Sequence, residues 1–228
     1  LMLDQERTKS GKPVTHHIDL KVFLNGNADP IVIPYEISDA RANHNYSFTL
    51  NDLLGAHGVE ADREGFFIIE SRAVAAFPLP SVLKTIGHWV AYMNEDTYVV
   101  TPSNVQFASA RLDYGSAKPA RLLDYFGIIE ANDIMDTHIA VINPYVGSPK
   151  TDMIFFNTKG EKIEETITLD PFSIQWISLG KIMQKHGKDA FRGNAKVIAS
   201  HRVVPVFFFF DRARHLYVVG KSGTGKSK

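Results

Sequence analysis

Apolar residues along this chain cluster in short runs of strand length, and turns rich in Gly, Asn, Asp and Pro separate these runs. The longest pattern extends from Asn194 to Phe210, where two apolar stretches flank the polar segment Ser200–Arg202, and a closing strand follows at Arg214 to Val219. Four consecutive phenylalanines, Phe207 to Phe210, end the second stretch. Because a strand directs alternate side chains to opposite faces, either both faces of this strand are covered or one face is an interface.

The same pattern occurs earlier, at Gly65 to Phe77, and a Tyr-Val-Val strand follows it as well. Several matches keep a constant spacing of 129 residues, including the pairs His57–Gly58 and His186–Gly187. In both places a short helix is predicted to end at the glycine, and Ser178 is expected to cap the second helix. The repeated order of strand, short helix, split strand and tyrosine strand predicts a tandem duplication of one β-rich unit.

The predicted fold is mainly β, with two tandem related antiparallel β-sandwich units and short helices. Residues 14–103 are expected to form the first β-sandwich repeat and residues 138–220 the second. Between them, residues 104–137 are predicted to be a linker that contains a helix over Ala120 to Met135, because the apolar spacing there fits a helix. Residues 221–228 are expected to be a flexible tail.

Composition narrows the class of protein. Of 228 residues, 44% are hydrophobic and 22% charged, which is typical of a soluble globular protein. Lys plus Arg and Asp plus Glu both total 25, so the basic excess of a nucleic-acid-binding protein is missing. The absence of cysteine excludes disulfides and thiolate metal sites. The longest apolar run, Val203 to Phe210, is too short for a membrane span, and the cytoplasm is favoured over export. The chain begins at Leu1, so a cleaved signal peptide and a trimmed chain both remain open.

The tail, Gly220 to Ser227, matches the phosphate-loop pattern and follows an apolar strand. A nucleotide site of this type also needs a helix after the loop and a downstream acidic residue for magnesium. Neither follows here, because Lys228 is the last residue of this sequence. We therefore interpret the motif as part of the flexible tail, with no cofactor bound.

The second half resembles the soluble transducer of sensory rhodopsin. The resemblance rests on a first strand that ends in Asn143, an aromatic second strand at Met153 to Phe156, and a final segment in which Val197 to Ser200 precede Pro205 and Asp211. It covers the second half well and the first half loosely. The resemblance implies a small antiparallel β-sandwich that works by association rather than catalysis, in a family whose members form homo-oligomers.

Polar side chains at the kink between the buried strands and at the last turn are the best candidates for a ligand cradle. A buried arginine or histidine there needs a carboxylate partner, so a structural salt bridge is the competing interpretation. Exposed aromatic rings suit the apolar faces of sugars, with core packing as the alternative role. The predicted ligand-binding residues are Arg72, His201, Asp211, Trp89, Tyr98 and Tyr217.

The chain contains nine histidines, of which His57 and His186 occupy equivalent positions at the ends of the two short helices. A histidine at a helix C-terminus interacts favourably with the helix dipole, which is the structural interpretation. The functional interpretation is that the two repeats bring both imidazoles near a shared axis, where they would bind a metal or an anion.

Two classes of function follow from these observations. The first is a non-enzymatic binding or assembly module that self-associates and binds a small molecule, a saccharide or a protein partner at the repeat junction. The alternative is a carbohydrate-active hydrolase or isomerase. Its acid–base groups would come from His57, His186, Glu70 or Asp211.

Overall fold

The computed structural model confirms a mainly β chain, with two short helices among the residues that it describes. The chain divides into two compact units, residues 1–88 with 103–111 and residues 89–102 with 112–228. The structure describes residues 2–4, 14–40, 44–45, 50–59, 63–74, 84–86, 89–94, 97–101, 124–200, 203–214, 216–220 and 222–225.

The first unit is built around a three-stranded antiparallel sheet in the order β3-β2-β5. Alternate residues of β2, including Leu20, Val22 and Leu24, are buried against Ile33 of β3 and the short helix. The elements of this unit are β1 (Met2–Asp4), β2 (Val14–Leu24), β3 (Ile31–Ala40), β4 (His44–Asn45), α1 (Leu50–Ala56), β5 (Gly65–Val74) and β6 (Lys84–Ile86).

The second unit holds the remaining described elements. Its hairpin β7–β8 precedes a continuous sheet to which nine of the described strands belong. The elements are β7 (Trp89–Asn94), β8 (Thr97–Thr101), β9 (Asp124–Ala131), β10 (Met135–Asn143), β11 (Lys150–Asn157), β12 (Lys162–Thr168), β13 (Ser173–Ser178), α2 (Leu179–Lys185), β14 (Phe191–Ala199), β15 (Val204–Asp211), β16 (Leu216–Gly220) and β17 (Ser222–Gly225).

The large sheet consists of two layers. Layer A has the strand order β12-β11-β14-β9-β17, and layer B has the order β13-β10-β15-β16. The layers join where β9 turns into β10, and there Asp136 pairs with Ala131. One buried cluster, whose members include Ile129, Met153 and Phe155 of layer A and Ile139 and Phe207 of layer B, forms the core between them.

Local signals place α2 where the sequence predicts it. The Ser178 hydroxyl accepts a hydrogen bond from the Lys181 N–H, which confirms the predicted N-terminal cap. Gly187 has a φ of +66° just after the helix, the left-handed conformation that glycine adopts at little cost. Leu179 and Met183 anchor the helix in the core.

The two units share several local features. Helix α1 lies 129 residues before α2, and both helices have seven residues. Gly58 after α1 has a φ of +69°, close to that of Gly187 after α2. The strand order β3-β2-β5 of the first unit also matches β12-β11-β14 of the second. The tandem duplication and the two sandwich units remain predictions that these features favour.

Two sequence predictions are wrong. The helix expected over Ala120 to Met135 is not formed, because Asp124–Ala131 is strand β9 and pairs with β14 along Tyr125 to Ala131. Buried and exposed residues alternate along β9, and pairing with β14 and β17 decides the conformation of an ambiguous apolar run. In the tail expected to be flexible, Ser222–Gly225 forms strand β17 and pairs with the start of β9.

Within the part of the chain that the structure describes, neither helix has the length and apolar character needed to cross a membrane.

Candidate functional site

The outer face of layer B, which points away from the core, changes from apolar to polar along strand β10. Strand β10 forms its centre with Ile142, Ala140 and His138, which face outward in turn. Cross-strand pairing flanks each of these residues with one residue of β13 and one of β15. The flanking residues are Ile174 and Val204 at the first level, Trp176 and Val206 at the second, and Ser178 and Phe208 at the third.

The phenylalanine run explains why this face is apolar. Phe207 is fully buried in the core between the layers, whereas Phe208 belongs to a second apolar cluster on the outer face. The ring of Phe208 lies 5.0 Å from that of Trp176, between centroids. Ala140, at the centre of the face, is small enough to let these rings from the flanking strands meet. Both faces of β15 are therefore apolar.

At one end of this face the surface becomes polar around Asp136, which is 4% exposed. Its Oδ1 accepts a hydrogen bond of 2.8 Å from the Gly180 N–H, and its Oδ2 accepts one of 2.8 Å from the Ser178 hydroxyl. Nε2 of His138 lies 3.2 Å from Oδ2, and a guanidinium nitrogen of Arg212 lies 3.5 Å from the same oxygen. We call these five residues the Asp136 cluster.

Opposing effects act on the pKa of the Asp136 carboxyl. Burial raises the pKa. Hydrogen bonds from His138, the Gly180 N–H and the Ser178 hydroxyl, together with the interaction with the His138 charge, lower it by more than burial raises it. The net result is a pKa below the ordinary value of an aspartate. Asp136 is therefore ionised at neutral pH.

Glycine at position 180 lets Arg212 approach this carboxylate. A Cβ at Gly180 would lie 2.7 Å from a guanidinium nitrogen of Arg212 and 3.0 Å from Oδ2 of Asp136. The turn that carries Arg212 is held by Asp211, whose Oδ1 accepts hydrogen bonds of 3.0 Å from the N–H groups of Ala213 and Arg214. The sequence prediction assigned Asp211 to ligand binding, and the structure places it one residue from the Asp136 cluster in a turn-stabilising role.

Of the other predicted ligand-binding residues, Tyr217 lies in β16 and pairs with Phe210 of β15. Trp89 and Tyr98 lie in the β7–β8 hairpin, where Tyr98 pairs with Tyr92. Strand β8 lies beside β16, so the backbones of three predicted aromatic positions belong to neighbouring strands of the second unit.

Arg72 lies in β5 of the first unit, where its backbone pairs with His17. His201 lies outside the described residues. The assignment of both to a ligand site stays a prediction, as does the acid–base role considered for Glu70, whose backbone pairs with Asp19.

The two helix-terminal histidines have different surroundings. Nε2 of His186 lies 3.0 Å from Oε1 of Glu165, which also accepts hydrogen bonds from Lys185. The hydrogen bonds from Lys185 and then His186 hold the pKa of Glu165 below its ordinary value. Among the described residues, no group of three or more His, Cys, Asp and Glu side chains is arranged to hold a metal ion.

His57 lines an open cavity of about 340 Å³ in the first unit. The other lining residues are Leu24, Ile31, Gly58, Val59 and Arg63. His57 is itself exposed, and the cavity contains one further ionisable side chain.

Sequence reasoning missed most of the Asp136 cluster. The sequence pattern predicts Ser178 as a helix cap, but no pattern assigns Asp136, His138 and Arg212 to one site. Because the sequence predicts a helix up to Met135, it places Asp136 at the end of a linker and not in a strand of the core sheet. The sequence signal for this site would have been Asp136, a charged residue on the same face of an apolar strand as Ala140.

Comparisons with known proteins found no matching family model, no matching curated protein and no matching solved structure.

Proposed function

We propose that this chain is a non-catalytic binding module, that its ligand is a saccharide, and that the outer face of layer B binds it. The observation that carries the proposal is the position of Trp176. Its partly exposed ring lies on an apolar face, next to Phe208, one level along β10 from the hydrogen-bonding groups of the Asp136 cluster.

The chemistry of this face fits a sugar. A pyranose ring has an apolar face of C–H groups, which stacks on an aromatic ring, and a rim of hydroxyl groups, which need donors and acceptors. Arg212, with a side chain 40% exposed, and His138, 23% exposed, supply polar groups at the edge of the apolar surface. An apolar surface with a few converging polar groups is the usual composition of a small-molecule site.

The Asp136 cluster favours binding over catalysis. A general acid at neutral pH needs a carboxyl with a raised pKa, and the pKa of Asp136 is lowered instead. The Ser178 hydroxyl donates directly to the carboxylate and accepts from the Lys181 N–H, so it is held as a helix cap rather than aligned with a histidine base. The hydrogen bonds of Asp136 and Ser178 therefore hold these two side chains in fixed positions at the surface.

The proposal also includes the predicted duplication. Equal helix spacing, matching glycine conformations and the same order of three strands in both units support it. If the first unit is a diverged copy, it supplies a second surface of related construction, but Trp176, Phe208 and the charged residues of the Asp136 cluster belong to the second unit.

Tryptophan fluorescence tests the proposal directly, because the chain has two tryptophans. In a Trp89→Phe background, the signal comes from Trp176. We expect titration with cello-, chito- or malto-oligosaccharides to change this emission saturably. A Trp176→Ala substitution should weaken binding by about ten-fold or more, measured by calorimetry, because the stacking contact is lost.

The matched control is Phe126→Ala. Phe126 is 38% exposed on the outer face of layer A, so its loss should leave saccharide affinity unchanged. Equal loss in both variants, or no saturable change with any of the three sugars while the chain is folded by circular dichroism, would overturn the proposal.

A further inference from the structure

We propose that the open cavity of the first unit binds an aliphatic carboxylate, and that Arg63 and His57 hold its carboxylate group. The cavity has a volume of about 340 Å³. Three of its lining residues are apolar, and these belong to the hydrophobic cluster of this unit or pack against it: Leu24, Ile31 and Val59. The apolar wall of the cavity is therefore continuous with the core, and the two basic side chains line the same space.

The polar chemistry of this cavity comes from side chains rather than from the backbone. The N–H groups of residues 57–59 all donate to carbonyls of α1 at 3.0 Å, so they are already satisfied. The side chains of His57 and Arg63 are exposed, and neither forms a hydrogen bond or an ion pair with another described residue. Glu64, next to Arg63 in the chain, accepts a hydrogen bond from the side-chain amide of Asn25.

The second unit has the same turn with its charged groups paired. The backbone hydrogen bonds that end α1 recur at the end of α2, each 129 residues later, so Lys188 occupies the position of Val59. The Lys188 ammonium donates to Glu161 at 2.6 Å, and Nε2 of His186 lies 3.0 Å from Glu165. The turn after α2 therefore satisfies its own basic groups with carboxylates.

Leu24 differs from its counterpart in the second unit in the same way. Leu24 at the end of β2 and Asn157 at the end of β11 each pair with a glycine of the neighbouring strand. The Asn157 amide donates to Glu161 at 2.5 Å, so it belongs to the same polar network as Lys188. Leucine and valine at these two places leave apolar surface beside two basic side chains in the first unit.

This combination fits a ligand with an apolar chain and one negative charge. The planar guanidinium of Arg63 presents paired N–H donors that match a carboxylate, and charge-assisted hydrogen bonds are roughly twice as strong as neutral ones. The apolar wall would leave the hydroxyl groups of a sugar without partners. Since one water molecule takes about 30 Å³ of liquid volume, the cavity holds a molecule of roughly ten non-hydrogen atoms. Octanoate has this size and this chemistry.

The inference goes beyond the saccharide proposal and is independent of it. The cavity lies in the first unit and uses none of the residues on the outer face of layer B. Either proposal can fail while the other holds, because the two ligands are titrated separately and the variants that test them lie in different units.

Calorimetric titration of the full chain with three eight-carbon compounds tests the chemistry of the cavity. We expect octanoate to bind saturably. Octanamide keeps the apolar chain but has no charge, so it should bind at least about ten-fold more weakly. Octylamine carries the charge of Arg63 itself and should bind more weakly still. Octylamine binding as tightly as octanoate, or no saturable binding of octanoate to the folded chain, would overturn the proposal.

Substitutions test the location of the site. Arg63→Gln should weaken octanoate binding by about ten-fold or more, whereas Arg63→Lys should retain part of the affinity because it keeps the charge without the planar fork. Val59→Phe fills the cavity and should abolish binding. The matched control is Arg192→Gln, in the second unit, where the arginine side chain is 80% exposed and its loss should leave the affinity unchanged.

Circular dichroism confirms that each variant is folded before it is titrated. Equal loss of octanoate affinity in Arg63→Gln and Arg192→Gln would overturn the site, since the effect would then follow from overall charge. Full affinity in Val59→Phe would overturn it too, because the ligand would then bind elsewhere. Saccharide titration of Arg63→Gln should match that of the unmodified chain, which separates this site from the outer face of layer B.

Discussion

The Ser178 hydroxyl lies between Asp136 and the first turn of α2, donating to the carboxylate at 2.8 Å and accepting from the Lys181 N–H at 3.1 Å. Asp136 extends the same connection through Gly180, whose N–H it accepts at 2.8 Å. One buried carboxylate thus joins the start of β10, the end of β13 and the helix that follows. The geometry of the proposed ligand surface depends on this connection.

Replacing Asp136 with Asn should therefore destabilise the second unit. Asparagine has only one side-chain oxygen, so it cannot replace both of the carboxylate oxygens that accept hydrogen bonds here. Arg212 also loses its buried counterion. We expect the free energy of unfolding to fall by about 3 kcal/mol, the usual cost of removing one partner of a buried charged network. Urea denaturation measures this change. Asp133→Asn, at an exposed position in the preceding turn, is the control and should have little effect.

Acid should selectively remove the stabilisation that Asp136 provides. Because its pKa is lower in the folded chain than in the unfolded chain, its contribution is complete above the unfolded pKa of about 3.9 and is lost as the pH falls through the folded value. His138 and Arg212 are the basic side chains that face it.

The measurement compares the wild type with Asp136→Asn by urea unfolding between neutral pH and about pH 2.5. Other carboxylates with lowered pKa values, such as Glu165, contribute equally to both proteins and cancel in the difference. The difference in unfolding free energy should shrink with acid. A difference that stays constant over this range would contradict the role given to the Asp136 charge.

Local sequence signals account for the parts of the fold that were predicted correctly. Ser178 and Gly187 mark the ends of α2 through their own side chain and backbone properties, so no distant contact is needed to find them. The alternation of Phe207 and Phe208 between two apolar faces likewise follows from strand geometry.

Long-range contacts explain what the sequence could not predict. The apolar run at Tyr125 to Ile129 fits both helical and strand periods, and its pairing with β14, more than sixty residues later, selects the strand. Besides the contact with nearby His138, Asp136 accepts hydrogen bonds from residues 42 and 44 positions away. No local pattern around Asp136 indicates those partners.

A buried threonine of layer A offers a stabilising substitution. Thr151 is fully buried, and its hydroxyl makes no hydrogen bond with any residue that the structure describes. Thr151→Val keeps the shape and removes the cost of burying an unsatisfied hydroxyl, so we expect the free energy of unfolding to rise by about 1 kcal/mol. Thermal or urea unfolding measures the change.

Thr137 is the matched control for this substitution. It is equally buried, but its hydroxyl accepts from the Glu130 N–H at 2.8 Å and donates to the Glu130 carbonyl at 2.9 Å. Thr137→Val should therefore destabilise the chain by about 1–2 kcal/mol. If both substitutions shift stability in the same direction, hydrogen bonding is not what separates the two sites.

Gly65 and Gly193, each of which lies at the end of a strand pair, should respond alike to substitution. Gly65 pairs with Leu24 at the end of β2, and Gly193 pairs with Asn157 at the end of β11. A Cβ at Gly65 would overlap the carbonyl oxygen of Phe23, and a Cβ at Gly193 would overlap that of Phe156. Because backbone must move in both cases, we expect each glycine-to-alanine substitution to cost about 1–3 kcal/mol in unfolding free energy.

Gly55→Ala is the control, since a Cβ there would meet no atom within 4 Å and the residue lies within α1. Alanine is the better helix former, so this variant should be more stable by up to about 1 kcal/mol. Urea unfolding of the three variants measures the effects. Destabilisation at Gly65 and Gly193 together would support a shared ancestral strand pairing in the two units. A tolerated alanine at one of them would argue that the close approach there is not a common structural constraint.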